Sequence, residues 1–433
     1  MKTKLWLLLV VVALCVPLFT ARAEVKSKYN VDFYGYVKLD AVFMDSFAII
    51  GDNQLVYAPP GNLCGLYGAC THDQQKNSER DSFSMTARQT RFGFLVTGPE
   101  SEGGLITRGR IEADFYGSAP ARSAAANQDP EENKGLLMLR RATVEILGKN
   151  WEVLAGNEWM VVSPIFPMTN NYPYNAEIGN LGYRTPQIRL TGYMLDKKLI
   201  FQLAATNKMG DVDTLDIDTG RMSGAPTWEA GITYKDAFTL GLTGHYGYEE
   251  VKSFRWEWSA PSVPIYSYYG ARVESWSANV HAIIPLGEMA SISGEYYQGA
   301  NLDGWYTGGQ GSGWVVDKDG DREALESTGG WIQLMVAPAK PIKLYFSYGF
   351  DDVNNDQLKG GVIEPGYTNA AGNKAITKNW AYNVMADYWV NPATKVSLEW
   401  MHLVSEYELA DSPKLDWDNG EVNRYMLSFW YIF

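Results

Sequence analysis

From Val31 onward the chain alternates apolar and polar side chains one for one. In VDFYGYVKLDAVFMD, Val31, Phe33, Gly35, Val37, Leu39, Ala41 and Phe43 share one face, and Asp32, Tyr34, Tyr36, Lys38 and Asp40 the other. A period of two predicts a β-strand, and this run is roughly twice the usual 5–6 residues of a globular strand. The pattern returns in FTLGLTGHYGYE, where Phe238, Leu240, Leu242 and Tyr246 oppose Thr239, Thr243 and His245. It returns again in WAYNVMADYWV, with Trp380, Tyr382, Val384, Ala386 and Tyr388 on one face. Sixteen such strands are expected. After the first, from Val31, they fall near 83–97, 103–117, 136–147, 150–160, 185–195, 198–207, 225–235, 237–249, 271–284, 288–299, 328–337, 341–351, 378–390, 395–407 and 421–433.

The connections alternate in length. Short turns fall at GPESEGG, LGKN, LDKK, YKDA, PLGE, PAKP and NPATK. Long loops begin at Phe47, Ser118, Val161, Lys208, Glu250, Ala300, Asp352 and Glu408. An even number of strands with short turns at one rim and long loops at the other predicts an all-β fold: a transmembrane antiparallel barrel with short periplasmic turns and long extracellular loops. Lipid leaves no water for unpaired backbone groups, so a spanning sheet must close on itself, apolar side outward. A soluble β-sandwich would need shorter strands and fewer aromatic residues at the strand ends. Here Tyr296, Trp380, Tyr388, Trp400, Phe429 and Tyr431 stand where aromatic girdles belong. A barrel of this size encloses an aqueous channel.

Composition adds compartment and partners. The opening MKTKLWLLLVVVALCVPLFTARA has Lys2 and Lys4, an apolar core and an Ala21-Arg22-Ala23 site. It reads as a signal peptide, 1–23, cleaved to leave a single barrel domain, 24–433. The formal charge of -13 argues against nucleic acid as the main partner. Cys64 and Cys70, spaced C-x5-C in a glycine-rich loop of an exported chain, predict a local disulfide. No C-x-x-C-H, H-E-x-x-H or G-x-S-x-G motif is present, and no cofactor is expected. In the sixth long loop, Asp317, Asp319 and Asp321 alternate as in half of a calcium loop, which makes Ca2+ a candidate ligand beside a solvated acidic loop.

The interior carries the candidate chemistry. Ten of the sixteen arginines lie between positions 80 and 189. By parity Lys38, Arg91, Arg108, Arg110, Arg141 and Arg189 point inward, whereas Arg88 and Arg140 fall on the outward face, at a subunit contact or a bulge. A planar guanidinium fork suits carboxylate and phosphate, and basic rings select anions in pores. The same arginines could pair with Glu112, Asp114 and Glu145 and only brace the wall. The loop near 161–183 is stiffened by Pro164, Pro167 and Pro173 and is apolar for an external loop. It is expected to fold inward as a constriction and to set Asn170, Asn171, Tyr172 and Glu177 opposite the arginines.

Several stretches, in order, resemble the DcaP-like trimeric porins: FYGYVKLDAVFMDS, ARQTRFGF, IEADFYGS, LAGNEW and YRTPQIRLTGY. The resemblance covers most of the first 195 residues. It implies a homotrimer in the bacterial outer membrane, passive uptake of small organic anions such as dicarboxylates, and substrate contacts at Lys38, Arg91, Arg108, Arg110 and Arg189. Only about seven residues are expected between Ala23 and the first strand, without a heptad, so the coiled-coil segment that such proteins commonly carry before the barrel is not expected here. A non-selective diffusion porin, and a barrel hydrolase, stay open as alternatives. The terminal RYMLSFWYIF ends on Phe433, the residue that barrel assembly machinery reads in porins. Tyr425, Leu427, Phe429, Tyr431 and Phe433 are expected to face lipid, with Arg424 on the water-filled side.

Overall fold

The computed structural model of the protein describes residues 28–46, 55–58, 81–117, 135–207, 219–258, 264–302, 313–317, 322–363, 374–409 and 419–433. The signal segment 1–23, Cys64, Cys70, Asp319 and Asp321 lie outside the described residues.

Long alternating strands follow one another around a closed sheet. They are β1 (Asn30–Met44), β2 (Ser82–Thr86), β3 (Arg91–Thr97), β4 (Ile106–Gly117), β5 (Leu136–Leu147), β6 (Trp151–Trp159), β7 (Arg184–Met194) and β8 (Leu199–Thr206). Next come β9 (Thr227–Lys235), β10 (Thr239–Trp258), β11 (Pro264–Pro285) and β12 (Ala290–Ala300). A small separate sheet holds β13 (Trp314–Asp317), β14 (Arg322–Ala324) and β17 (Gly361–Ile363). The barrel resumes with β15 (Glu326–Ala339), β16 (Ile342–Val353), β18 (Lys374–Asn391), β19 (Thr394–Leu409) and β20 (Gly420–Ile432). Each strand pairs antiparallel with the next, and β20 returns to β1 from Tyr36↔Ile432 to Met44↔Arg424. Phe433 completes the seam: its N–H donates to the Gly35 carbonyl at 3.0 Å and its carbonyl accepts from Gly35 N–H at 2.9 Å. The terminal run is the closing strand of the barrel.

The sheet has seventeen strands by hydrogen bonding, but β2 and β3 are two halves of one stave, both laid against β1. Sixteen staves therefore close the barrel, as the alternation predicts. The break at 87–90 has a local cause. Lys38 N–H donates to Thr90 Oγ1 at 3.1 Å, so a side chain takes a rung of the ladder. Two other differences concern length. The hairpin β10–β11 stays paired out to Trp258↔Pro264, so the expected fifth loop is largely strand. The expected sixth loop contributes Asp317 as the last residue of β13.

The apolar face points outward. Val31, Phe33, Val37, Leu39 and Phe43 of β1 are exposed, and so are Tyr425, Leu427, Phe429 and Tyr431 of β20. Lys38, Asp40, Glu112, Asp114, Arg140, Glu399 and Arg424 are buried inside. This inversion of a soluble core suits a barrel set in lipid around a polar lumen. Leu427 sits mid-strand opposite Ala41 and Leu398. Leu427→Arg is expected to lower folding stability by about 2–4 kcal/mol, read from urea equilibria of refolding into lipid vesicles.

Candidate functional site

The segment between β6 and β7 does not extend outward. It runs into the lumen, and most of its side chains, from Val161 and Val162 to Ile178 and Leu181, are buried. Three buried wall carboxylates and amides fix its course. Glu229 of β9 accepts from Val161 N–H at 2.6 Å, and Asn279 of β11 donates to the Val162 carbonyl at 2.9 Å. On the far side Glu399 of β19 accepts from Thr169 Oγ1 at 2.8 Å and from Asn170 N–H at 2.5 Å. Backbone approaches backbone at Gly179, whose φ is +92°, and at Gly349. A Cβ on Gly349 would lie 2.2 Å from the Ile178 carbonyl oxygen, closer than any real contact allows. Tyr174, Asn175 and Glu177 also adopt positive φ, a strain that the surrounding contacts must hold in place.

The infolded segment divides the lumen unequally. Toward β18, β20 and β1 it closes against an apolar cluster in which Ile178 and Leu55 pack with Val42, Met401, Leu403 and Met426. Toward β5–β11 it leaves a cavity of about 400 Å³. Arg141, Glu158, Arg189, Lys235 and His281 bring charge or polarity to that cavity; Trp159, Ile165 and Phe166 form its apolar side. Trp159 and Phe166 pack in a tilted pair with ring centres 4.4 Å apart.

The six expected basic residues do not form one uniform ladder. Lys38 is fully buried beneath the loop, 3.1 Å from Asp40 and 4.2 Å from the Trp430 ring centre, and donates to the Asn170 carbonyl at 3.3 Å. The loop covers its ammonium, so it fastens the infolded loop and does not face the cavity. Arg91 donates to the Tyr174 hydroxyl at 3.2 Å. Arg108 pairs with Glu145. Arg110 lies 3.8 Å from Glu158, and Arg141 grips the same carboxylate at 2.6 Å. Arg189 donates to the Trp159 carbonyl at 3.3 Å. Only Arg141 and Arg189 of the six line the cavity.

Strict parity fails at Arg140. Glu112 pairs with Arg141 but Ala113 pairs with Leu139, so Arg140 is the extra residue of a β-bulge and turns inward beside its neighbour. It donates to Glu112 at 3.0 Å, to Asp114 at 2.7 Å and to the Tyr172 hydroxyl at 2.9 Å. Arg88 is also inward, 4.7 Å from the ring centre of the lumen-facing Tyr116. The break at 87–90 re-aims it. The only hint in the sequence was the Arg140-Arg141 pair, which no simple alternation accommodates with both side chains in water. Arg184, stacked 5.0 Å from Trp159, is a further interior cation absent from the expected set.

The four loop residues, expected opposite the arginines, are bonded to the wall. Tyr172 joins Arg140 and Asp114, at 2.9 and 2.8 Å. Asn171 accepts from Arg424 at 2.8 Å and donates to the Leu55 carbonyl at 2.8 Å. Asn170 contacts Glu399 and Lys38 through its backbone. The Glu177 carbonyl accepts from Asn379 of β18 at 2.7 Å. The cause is the length of the segment, which lets it reach the far wall and bond there. Among the described residues no group of three His, Cys, Asp or Glu side chains could hold a metal.

The fold, a closed sixteen-stave barrel with an apolar exterior and a loop folded into its lumen, is similar to that of solved outer-membrane porins. No family model matches the chain, and no curated protein does. Solved structures do. The DcaP outer membrane channel of Acinetobacter baumannii aligns over 94% of this chain and 98% of its own, at 17% identity and a TM-score of 0.67. The anion-selective porin of Comamonas acidovorans aligns over 94% and 100%, at 10% identity and a TM-score of 0.55. OmpF of Salmonella typhi, in complex with daunomycin, aligns over 93% and 97%, at 12% identity and a TM-score of 0.52. The likeness to DcaP-like porins read from the sequence is met again in the fold.

Two measurements test the constriction. Gly349→Val is expected to push the loop off the wall and enlarge the unit conductance in planar bilayers. The second concerns Tyr174. Burial pushes its phenol up, but Arg91 and Arg140 and the Arg91 hydrogen bond pull it down further, to about 8 from the ordinary 10.0. The phenolate is the form the arginines favour, so this tether strengthens as pH rises past about 8 and weakens below it. Ultraviolet titration should show a tyrosine ionising near that pH, lost in Tyr174→Phe.

Proposed function

We propose that the protein is a passive outer-membrane channel that favours small organic anions, dicarboxylates among them. The observation that carries this reading is the charge around the lumen cavity. Arg141, Arg189 and Lys235 line it against the single carboxylate of Glu158. Guanidinium forks offer two parallel donors to a carboxylate, and a basic constriction raises the local anion concentration. The apolar side formed by Trp159 and Phe166 contributes no competing charge. Arg91, Arg108 and Arg110 supply the positive field along the approach, and Lys38 acts through the loop it holds.

The likeness to a DcaP channel and to a porin described as anion-selective supports the same direction. By that resemblance the channel is a homotrimer, and Phe433, paired to Gly35 at the seam, is the residue presented to the assembly machinery. Reversal potentials in a salt gradient test the reading. Wild-type protein should favour chloride over potassium. Arg141→Gln with Arg189→Gln should reduce that preference about two-fold or more. Equal permeability to both ions would establish a non-selective pore.

A further inference from the structure

We infer that Glu158 tunes the selectivity of the cavity: it is the chain's own carboxylate, seated in the arginine fork that an entering carboxylate would otherwise occupy. The inference rests on the channel reading above.

Glu158 lies near the end of β6 and is 3% exposed. Its Oε2 accepts from Arg141 Nε at 2.9 Å and Nη2 at 2.6 Å, while Arg110 stands 3.8 Å away. Its Oε1 accepts from Trp159 N–H at 2.9 Å. Both oxygens are therefore engaged, and two guanidiniums share one negative charge. On the adjacent strand Arg189 spends one amino group on the Trp159 carbonyl, and its buried Nε has no hydrogen-bond partner. Arg141 also stands 4.0 Å from Glu112, and Arg140 bonds both Glu112 and Asp114. With Glu158, Glu112 and Asp114 counted, the cluster of Arg110, Arg140, Arg141 and Arg189 keeps a net positive charge although its best fork is filled.

This arrangement answers a requirement of any selective channel: binding must be favourable enough to admit the solute and weak enough to release it. Arg141 and Arg189 facing a confined cavity, backed by Arg110 and without the carboxylate of Glu158 between them, would hold an entering carboxylate long enough to block flow. With Glu158 in place, a passing carboxylate enters at Arg189 and competes with Glu158 for Arg141. As the solute leaves, Glu158 takes the fork back. The exchange replaces one charge-assisted pair by another. The displaced Glu158 keeps Arg110 at 3.8 Å and the Trp159 N–H at 2.9 Å, so neither the guanidinium nor the carboxylate is left bare. Gln in place of Glu158 keeps the shape and removes the charge.

The test uses the purified full channel in planar bilayers, with a potassium chloride gradient and succinate added to one side. Glu158→Gln should raise the chloride-over-potassium ratio about two-fold or more and lengthen the interruptions that succinate causes. Arg141→Gln should lower the ratio, and the double variant should return toward wild type. Asp236→Asn, the same change of charge at an exposed turn, should move the ratio less. Unchanged selectivity and unchanged interruptions in a Glu158→Gln protein of native β-sheet content would overturn the inference. An equal shift in Asp236→Asn would also overturn it, by reducing the effect to net charge. If Glu158→Gln fails to fold, an unchanged ratio in Arg141→Gln overturns it instead. Wild-type protein that conducts no ions would sink the channel reading itself, which separates the two failures.

Discussion

Backbone pairing across the seam between β1 and β20 is the constraint on which the rest depends. In hydrocarbon an unpaired N–H or C=O costs several kcal/mol, and a sheet with a free edge exposes a row of them. The registers from Tyr36↔Ile432 to Met44↔Arg424 remove that edge. Once the sheet is closed, alternation sets the side-chain directions wherever the register is unbroken: one face meets lipid and the other meets water. Tyr425, Leu427 and Phe429 lie outside while Arg424 is buried within, because the period of a strand is two.

Closure also creates the interior problem that the lumen solves. A barrel of sixteen staves is too wide to fill with wall side chains alone. One side of this interior is filled by the segment after β6, which packs Ile178 against Val42, Met401 and Met426. The other side keeps the cavity that Arg141 and Arg189 line. Charges buried beside one another need partners. Arg140 with Glu112 and Asp114, Arg108 with Glu145, and Arg424 with Glu399 meet that need. Bracing the wall and charging the lumen are thus the same set of contacts, and the two readings of the arginines do not exclude each other. What separates a bracing arginine from one that meets solute is whether the cavity reaches it, as it reaches Arg141 and Arg189.

The barrel itself was legible in the residues. Strand number, the seven short turns and the outward apolar face all follow from local alternation and turn chemistry, which each stretch of chain carries within itself. The infolding of the loop after β6 was legible too, from prolines and aromatic side chains with no external surface to cover. The bulge at Arg140 was not, because a bulge changes parity without changing composition. The cavity was not legible either. Trp159, Lys235 and His281 come from three strands far apart in sequence, and nothing local marks them as neighbours. Asn171 and Tyr172 were expected to face the basic wall and are bonded to it, since only the assembled barrel shows how far the loop reaches.

The sequence by itself determined a closed transmembrane barrel, its sixteen staves and a lumen enriched in arginine. It could do so because lipid on one face and water on the other impose a rule that every strand must obey separately. The tertiary structure alone decided which arginines are spent on carboxylates, which are covered by the loop, and that Glu158 sits in the fork of Arg141. Those outcomes depend on distances between residues that the chain brings together only on closing, where a register shift of one residue reverses the direction of a side chain.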